Sequence, residues 1–228
     1  PIYINNETRR IHTSFNQAIT STGRLSSTKP NFQNIPIKTD IGKSIRKAFK
    51  VQTDNYFIVS FDYSQIELRI LAHYSNEKRL IDAFNNNIDI HTRTAALIYG
   101  INNKEVEFNH RRVAKVINYS IAYGAGPYRI SQELKISIKE ASRIIDNYFN
   151  RYPGIKKYIE DIIEFGTVNG YVQTIGGRQK NTANLKSSNR NIQEAEKRTT
   201  INMPIQGTAS ELIKLAMIDI DKTLKDKQ

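Results

Sequence analysis

The stretch that decides the fold is Tyr56-Phe-Ile-Val-Ser-Phe-Asp62-Tyr-Ser-Gln-Ile-Glu67-Leu-Arg69. Its apolar first half alternates between two faces, which predicts a buried β-strand that ends on the carboxylate of Asp62. Ser64 to Glu67 has the capping-box pattern, which predicts that a helix begins directly afterwards. A carboxylate at a rigid strand end is a suitable ligand for a divalent metal ion, because hard cations bind oxygen. The alternative, that Asp62 only begins a turn, stays open here.

Composition narrows the class of protein. The chain has 228 residues, a formal net charge of +12 and a hydrophobic content of 39%, which is typical of a globular chain with one large domain or two small subdomains. This excess of cations favours a polyanionic partner, first of all nucleic acid, although a basic surface without a partner would give the same charge. The chain contains no cysteine, which excludes disulfides and thiolate chemistry. The histidines show no paired metal-ligand spacing, and neither a signal peptide nor a membrane-length apolar run is visible.

Hydrophobic periodicity predicts a mostly helical region from Gln65 to about residue 166. Helices are predicted up to residue 74 and over residues 77–84, 90–99, 109–123, 137–151 and 155–165. Residues 170–178 predict a short strand and a turn. Beyond them, residues 189–202 and the segment after Gly207 are predicted as two helices separated at Pro204, because proline lacks the N–H that a helix needs.

The helix predicted over residues 109–123 carries the second informative pattern. At 3.6 residues per turn, Arg111, Lys115, Tyr119 and Tyr123 share one face, with Arg112 at its margin. The opposite, buried face is predicted to carry Val113, Ala114, Ile117 and Ile121. Cations near the helix N-terminus and rings after them match a nucleoside triphosphate, which has phosphates at one end and a stackable base at the other. A solvated basic helix whose tyrosines contact a neighbour is the alternative.

A loop rich in Gly, Pro, Ser and Asn is predicted over residues 22–36. It offers hydrogen-bond donors that could reach phosphates, sugars or base edges, namely Arg24, Lys29, Gln33 and Asn34. An ordinary surface loop explains the same composition.

Several segments resemble characteristic motifs of family A DNA polymerases, the bacterial DNA polymerase I group. Asp62 to Arg69 resembles motif A, and Arg111 to Gly124 resembles motif B, the fingers helix that closes on the incoming nucleotide. The family's primer–template contact region and a further segment after the fingers are matched by residues 22–27, 31–36 and 202–209. The resemblance covers essentially the whole chain, in order.

The resemblance implies a template-directed DNA polymerase that transfers deoxynucleotides to a primer 3′-hydroxyl with two Mg²⁺ ions. Asp62 and the backbone carbonyl of Tyr63 would bind metal. Arg111 and Lys115 would bind the triphosphate, and Lys115 is also a candidate proton donor to the leaving pyrophosphate. Asp62, Lys115 and Arg111 are therefore the catalytic residues that the resemblance implies.

The remaining nucleotide-binding residues also follow from the resemblance. Gln65 and His91 would line the phosphate pocket, and Tyr119 would stack by the sugar and base. A tyrosine at that position implies poor rejection of dideoxynucleotides. Glu67 would sit under the sugar and exclude a ribose 2′-hydroxyl, with Tyr123 packed beside it. The role of Glu67 as a helix-capping carboxylate stays open next to this one.

The implied partners are primer–template DNA and deoxynucleoside triphosphates, with no membrane, and the chain would be a monomer. The implied DNA-binding residues are Arg24, Gln33, Asn34, Arg198, Asn202 and Gln206, of which Arg24 and Gln206 would contact the minor groove near the primer end. The resemblance implies a cytoplasmic location at the bacterial nucleoid, with an organellar or phage origin left open.

The predicted fold class is α+β, with a palm antiparallel sheet and an inserted, mostly helical fingers subdomain, in an incomplete right-hand polymerase architecture. The predicted domains are palm over residues 1–64, fingers over residues 65–170, and palm again over residues 171–228. The sheet is expected to combine the N-terminal residues, the strand ending at Asp62 and the segment near residues 171–178.

The sequence departs from the family in one respect. Motif C, a His-Asp-Glu on a hairpin that supplies the second metal-binding carboxylate, is not found. Asp219 and Asp221 lie in a helical pattern without the histidine and are poor substitutes. We therefore expect this fragment to polymerise poorly or not at all by itself. The alternative function is a noncatalytic nucleic-acid-binding module derived from such a polymerase.

Overall fold

The computed structural model describes residues 3–37, 39–51, 53 and 55–226. The chain divides into two compact units, residues 1–64 and residues 65–228. The assignment of palm and fingers to these parts of the chain stays a prediction. No helix in the described ranges is both long and apolar enough to cross a bilayer.

The first unit is held together by short elements and side-chain hydrogen bonds. Strands β1 (Ser14–Asn16) and β2 (Ser26–Thr28) pair antiparallel, with Phe15 opposite Ser27. Buried Ser27 accepts a hydrogen bond from the Phe32 N–H, which fixes a 3-10 turn over Phe32–Asn34 against the strands. Helix α1 (Asp40–Arg46) begins at Thr39, whose hydroxyl accepts from the Gly42 N–H, as expected for an N-cap threonine.

The prediction of a buried strand over residues 56–62 was wrong. Residues 56–63 form neither a helix nor a β-ladder, and their apolar side chains face solvent: Phe57 is 86% exposed and Phe61 82% exposed. A β-strand is stable only when its N–H and C=O groups pair with a neighbouring strand. Within the described residues no strand pairs with this segment. Its alternating apolar residues therefore do not become buried.

The second unit is helical. Its helices are α2 (Ile66–Ser75), α3 (Lys78–Asn85), α4 (Ile90–Tyr99), α5 (Phe108–Ala122), α6 (Pro127–Leu134), α7 (Ile138–Arg151), α8 (Pro153–Asn169) and α9 (Arg190–Lys225). Strands β3 (Tyr171–Gln173) and β4 (Gln179–Asn181) form an antiparallel hairpin between α8 and α9. The expected single sheet is therefore replaced, among the described residues, by two separate two-stranded sheets.

One apolar core joins the helices of the second unit. Leu68 and Leu71 of α2, Ile117 of α5, Tyr148 of α7 and Ile205 of α9 are all at most 1% exposed and belong to the same cluster. Burying side chains of this size contributes about 1.5–3 kcal/mol each. This packing fixes the mutual positions of α2, α4, α5 and α9, which carry the candidate site.

Helix α9 corrects a second prediction, because it runs unbroken through Pro204. Proline removes one helix hydrogen bond and normally ends or kinks a helix. Here Met203, Pro204 and Ile205 are all buried. The packing of this turn against the core therefore outweighs the lost hydrogen bond, and the helix extends for about 54 Å at 1.5 Å per residue.

Glu211 of α9 connects this helix to the preceding β3–β4 hairpin by hydrogen bonds. The Glu211 carboxylate accepts hydrogen bonds from the Thr174 hydroxyl at 2.7 Å and the Gly176 N–H at 3.2 Å. The hydroxyl of Thr208 accepts from the Ile175 N–H at 3.2 Å. These contacts place the predicted turn of residues 174–178 directly over the middle of α9.

Candidate active site

Helix α5 presents the cation-and-ring face that its spacing predicts. Ala114, Ile117 and Ile121 are buried on its inner side. On the outer side Lys115 is exposed, and the rings of Tyr119 and Tyr123 stack with centroids 6.4 Å apart. A charge followed by two neighbouring rings, whose planes differ by 30°, can bind an anion and a planar group along one helix face.

A cavity of about 230 Å³ opens along this face. Its lining residues from α5 and the turn after it are Arg112, Lys115, Val116, Tyr119, Ser120 and Tyr123. Helix α6 supplies the other wall through Arg129 and Glu133. Sequence reasoning missed α6 and these two residues, although Pro127 at its first turn is a recognised helix-start signal. The cavity combines three cations with two aromatic rings.

Glu67 is buried in the first turn of α2. This helix begins at Ile66, with Gln65 at its N-cap in a left-handed conformation with φ of 55°, one residue later than the predicted capping box begins; the box over residues 64–67 stays a prediction. Glu67 is 6% exposed and accepts a hydrogen bond of 2.5 Å from the Tyr123 hydroxyl. This bond links the start of α2 to the end of the α5 face, so the two residues assigned to the sugar are brought together.

Asp89 connects the starts of α4 and α5. It caps α4 by accepting from the His91 N–H at 3.1 Å, and it accepts from the Arg111 Nε at 2.6 Å. Burial raises the pKa of Asp89, but hydrogen bonds from Arg111, Thr92 and the His91 N–H outweigh burial and lower the pKa to about 2. Arg111 therefore faces Asp89, while Arg112, placed at the margin by the sequence, lines the cavity.

His91 lies behind the same face and is only 3% exposed. Its ring is 5.8 Å from that of Tyr119, centroid to centroid, and its Nδ1 is 3.2 Å from the amide nitrogen of Asn118. Desolvation lowers the pKa of His91 to about 4; Asp89 opposes this effect, and the charges of Arg111 and Lys115 add to it. The imidazole is therefore neutral at pH 7. The sequence alone gave no signal for Asn118.

Asp62 and Tyr63 belong to the first unit and are both exposed. In the part of the chain that the structure describes, no three histidine, aspartate or glutamate side chains lie together so that they could hold a metal ion. Asp62 itself offers one carboxylate, and Tyr63 offers a backbone carbonyl oxygen. This donor set suits a contribution to a metal site, but it is too small for the two-ion site that the resemblance implies.

The predicted DNA-binding residues fall into two groups. Arg24, Gln33 and Asn34 are exposed in the first unit. Arg198, Asn202 and Gln206 lie on α9 at intervals of four residues, which places them on one side of that helix.

The α9 row runs close to the end of α5. A side chain on Gly124, which follows α5 with φ of 67°, would approach the Arg198 Cα to 2.9 Å, so glycine is required for this close approach. The Oδ1 of Asn202 is buried and has no hydrogen-bond partner among the described residues.

The sequence model of DNA polymerase family A matches residues 1–228, and the chain therefore belongs to this family. It is 47% identical to DNA polymerase I of Bacillus subtilis (strain 168) over 222 residues, which are 97% of this chain and 25% of that protein. It is 45% identical to DNA polymerase I of Bacillus caldotenax over 222 residues, 97% of this chain and 25% of that protein. The chain thus spans about a quarter of the length of these relatives.

The fold is also similar to a solved structure, the POL domain of Pol1 from M. smegmatis in complex with DNA primer-template and dNTP. The TM-score is 0.90 at 43% sequence identity, covering 99% of this chain and 40% of that chain. These findings confirm the family that the motifs indicated. They also confirm the α+β class, in which small antiparallel sheets accompany a mostly helical part of a right-hand polymerase.

Proposed function

We propose that this chain is the nucleotide-binding part of a template-directed DNA polymerase, which transfers a deoxynucleotide to a primer 3′-hydroxyl. Family membership and relatives named DNA polymerase I support this proposal. The similar POL domain was solved with primer-template and dNTP, which supports the same two partners here. The net charge of +12 is suited to a nucleic acid backbone.

The observation that carries the proposal is the cavity along α5. Lys115 and Arg112 border it at one end, and Tyr119 and Tyr123 follow one and two turns later. A deoxynucleoside triphosphate has the same order of groups, since its phosphates need cations and its base needs a ring or flat surface. Phosphoryl transfer depends mainly on positioning and charge neutralisation, which this arrangement offers.

We assign the residues of the second unit the following roles. Lys115 and Arg111 bind the triphosphate, and Lys115 protonates the leaving pyrophosphate. Tyr119 stacks by the sugar and base. Glu67, held by the Tyr123 hydroxyl, occupies the space that a ribose 2′-hydroxyl would need. Gln65 and His91 complete the phosphate pocket.

We assign Asp62 and the Tyr63 carbonyl to Mg²⁺ binding. Mg²⁺ in such enzymes lowers the barrier to deprotonating the attacking hydroxyl and neutralises the leaving phosphate. A single carboxylate can bridge two ions, but it cannot complete the octahedral oxygen coordination that each Mg²⁺ ion requires. We therefore propose that the remaining ligands come from the part of the polymerase that this chain does not span, and that the chain alone does not extend a primer.

Nucleotide binding is tested on the chain itself by calorimetric titration with a deoxynucleoside triphosphate and Mg²⁺. Lys115→Ala should weaken binding about 10- to 100-fold, the effect of losing one hydrogen bond to a charged group. Lys139→Ala removes the same charge from an exposed position near the start of α7 and should leave binding unchanged. Equal effects of the two variants, or no binding by the unaltered chain, would contradict the proposal.

The second candidate is a noncatalytic nucleic-acid-binding module, which the exposed basic residues favour. Both candidates predict DNA binding that weakens steeply as salt rises. They differ in the triphosphate: a module that only binds nucleic acid has no reason to bind a single nucleotide through Lys115. Primer extension by the complete polymerase, and its loss in Asp62→Asn, would decide for the enzyme.

A further inference from the structure

A chain of buried polar side chains lies behind the α5 face. The Tyr152 hydroxyl is 2.9 Å from the Thr94 hydroxyl, which is 3.4 Å from the Asn118 Oδ1. The Asn118 Nδ2 is in turn 3.2 Å from the His91 Nδ1, and it also lies 3.2 Å from the Thr94 hydroxyl. All four side chains are at most 3% exposed. The polar atoms that face each other in this set therefore depend on one another for their hydrogen bonds.

The amide nitrogen of Asn118 sets the direction of the hydrogen bond to His91. It lies 3.2 Å from both the Thr94 hydroxyl and the His91 Nδ1, whereas either hydroxyl can donate in the bond between Tyr152 and Thr94. An amide NH₂ group donates but cannot accept, so the His91 Nδ1 must be the acceptor. A neutral imidazole that accepts at Nδ1 carries its proton on Nε2.

The Nε2 of His91 points to the side of the ring that keeps contact with the surface. Among the described residues this atom makes no hydrogen bond, and it is not one of the buried polar atoms that lack a partner, so the 3% of His91 that is exposed includes it. After desolvation, the charges that act on the ring are those of Asp89, Arg111 and Lys115, and Asp89 accepts a hydrogen bond from Arg111. A neutral N–H beside two cations is suited to an anionic oxygen, because it donates a hydrogen bond without adding a third charge.

We propose that Asn118 is a positioning residue, which holds His91 in the Nε2–H tautomer so that the ring donates a hydrogen bond to a phosphate oxygen of the nucleotide. This inference rests on the proposed nucleotide binding. The inference goes beyond nucleotide binding in two ways. It adds Asn118, a residue that does not contact the nucleotide, and it states that Nε2 is the nitrogen of His91 that contacts it.

The tautomer is measured directly on the chain labelled with ¹⁵N-histidine, from long-range ¹H–¹⁵N correlations of the His91 ring at pH 7. We expect the Nε2–H form. In Asn118→Asp the group facing Nδ1 only accepts, so the proton should move to Nδ1. Asn109→Asp places the same charge on the opposite side of α5, nine residues earlier, and should leave the tautomer unchanged.

The Nδ1–H form in the unaltered chain, or an Nε2–H form that persists in Asn118→Asp, would overturn the proposal. Should Asn118→Asp fail to fold, Asn118→Ala takes its place. We then expect both tautomers in exchange and about tenfold weaker binding of a deoxynucleoside triphosphate with Mg²⁺. Unchanged ring signals and unchanged binding in Asn118→Ala would overturn it equally.

The same titration separates this inference from the function on which it rests. If the unaltered chain binds no triphosphate, the proposed function fails whatever the tautomer. If it binds the triphosphate but shows the Nδ1–H tautomer, only the role of Asn118 fails. The decisive positive result is the Nε2–H form together with a His91 ¹H–¹⁵N signal that shifts on addition of the triphosphate.

Discussion

His91 should make the stability of this chain depend on pH in a window that can be stated in advance. Its pKa is about 4 in the folded chain, against an ordinary value of 6.5. Between these values the unfolded chain binds a proton that the folded chain does not, so stability falls as the pH falls. A difference of this size corresponds to about 3 kcal/mol. The loss should begin just below pH 7, proceed down to pH 4 and level off below it.

The assay is urea denaturation at pH 7, 6, 5 and 4 and constant ionic strength. His91→Gln should be less stable than the unaltered chain at pH 7, but it should lose about 3 kcal/mol less on going to pH 4. His73→Gln, at an exposed position on α2, should keep the full pH dependence. Parallel curves for the unaltered chain and His91→Gln would refute the reasoning, because the buried neutral ring would then not be the cause.

Tyr123→Phe should lower the free energy of unfolding by about 2 kcal/mol and the Tm in thermal melts by several degrees, because buried Glu67 loses a hydrogen-bond donor. Tyr128→Phe, at a side chain that is 68% exposed, should change neither quantity. In Glu67→Ala the complete polymerase should incorporate ribonucleotides, and unchanged rejection would exclude the sugar role. The pKa of Asp89, about 2 against 3.8, means that its contribution to stability is complete above pH 3.8 and is lost as the pH falls through 2. Because this carboxylate is 37% exposed, solvent screening limits the contribution to about 1 kcal/mol, and acid titration of Asp89→Asn should lack that step. Tyr119 predicts that the complete polymerase incorporates dideoxynucleotides almost as readily as deoxynucleotides; strong discrimination in a competition assay would contradict this.

Local helix signals were predicted best. Helix α4 has the bounds that the sequence predicted, because Asp89 caps its start and Gly100, with φ of 69°, ends it. Helix α6 was missed because its eight residues follow a Gly-rich turn, where local composition favours a loop. At Pro204 the sequence predicted a helix end that does not exist. The rule that proline ends a helix is local, and it does not account for the burial of the turn around Pro204.

The candidate site was predicted only in part, because local spacing shows which residues share a helix face but not which helices pack together. Helical spacing places Lys115, Tyr119 and Tyr123 on one face, and the cavity lies on that face. Spacing cannot show which of two adjacent arginines pairs with a carboxylate elsewhere in the fold. Arg111, expected on the cavity face, pairs with Asp89, and Arg112, expected at the margin, lines the cavity. Nor can it show the Asn118–His91 contact, which depends on how α4 packs against α5.

The segment over residues 56–61 has a practical consequence for work with the purified chain. Its alternating apolar sequence and exposed aromatic rings could form a strand with the same segment of another molecule. At high concentration the chain should form assemblies through this segment, visible as rising light scattering and thioflavin fluorescence. Dilute stocks, or a lysine in place of Phe57, which is 86% exposed, would be the sensible precaution before any calorimetry or NMR.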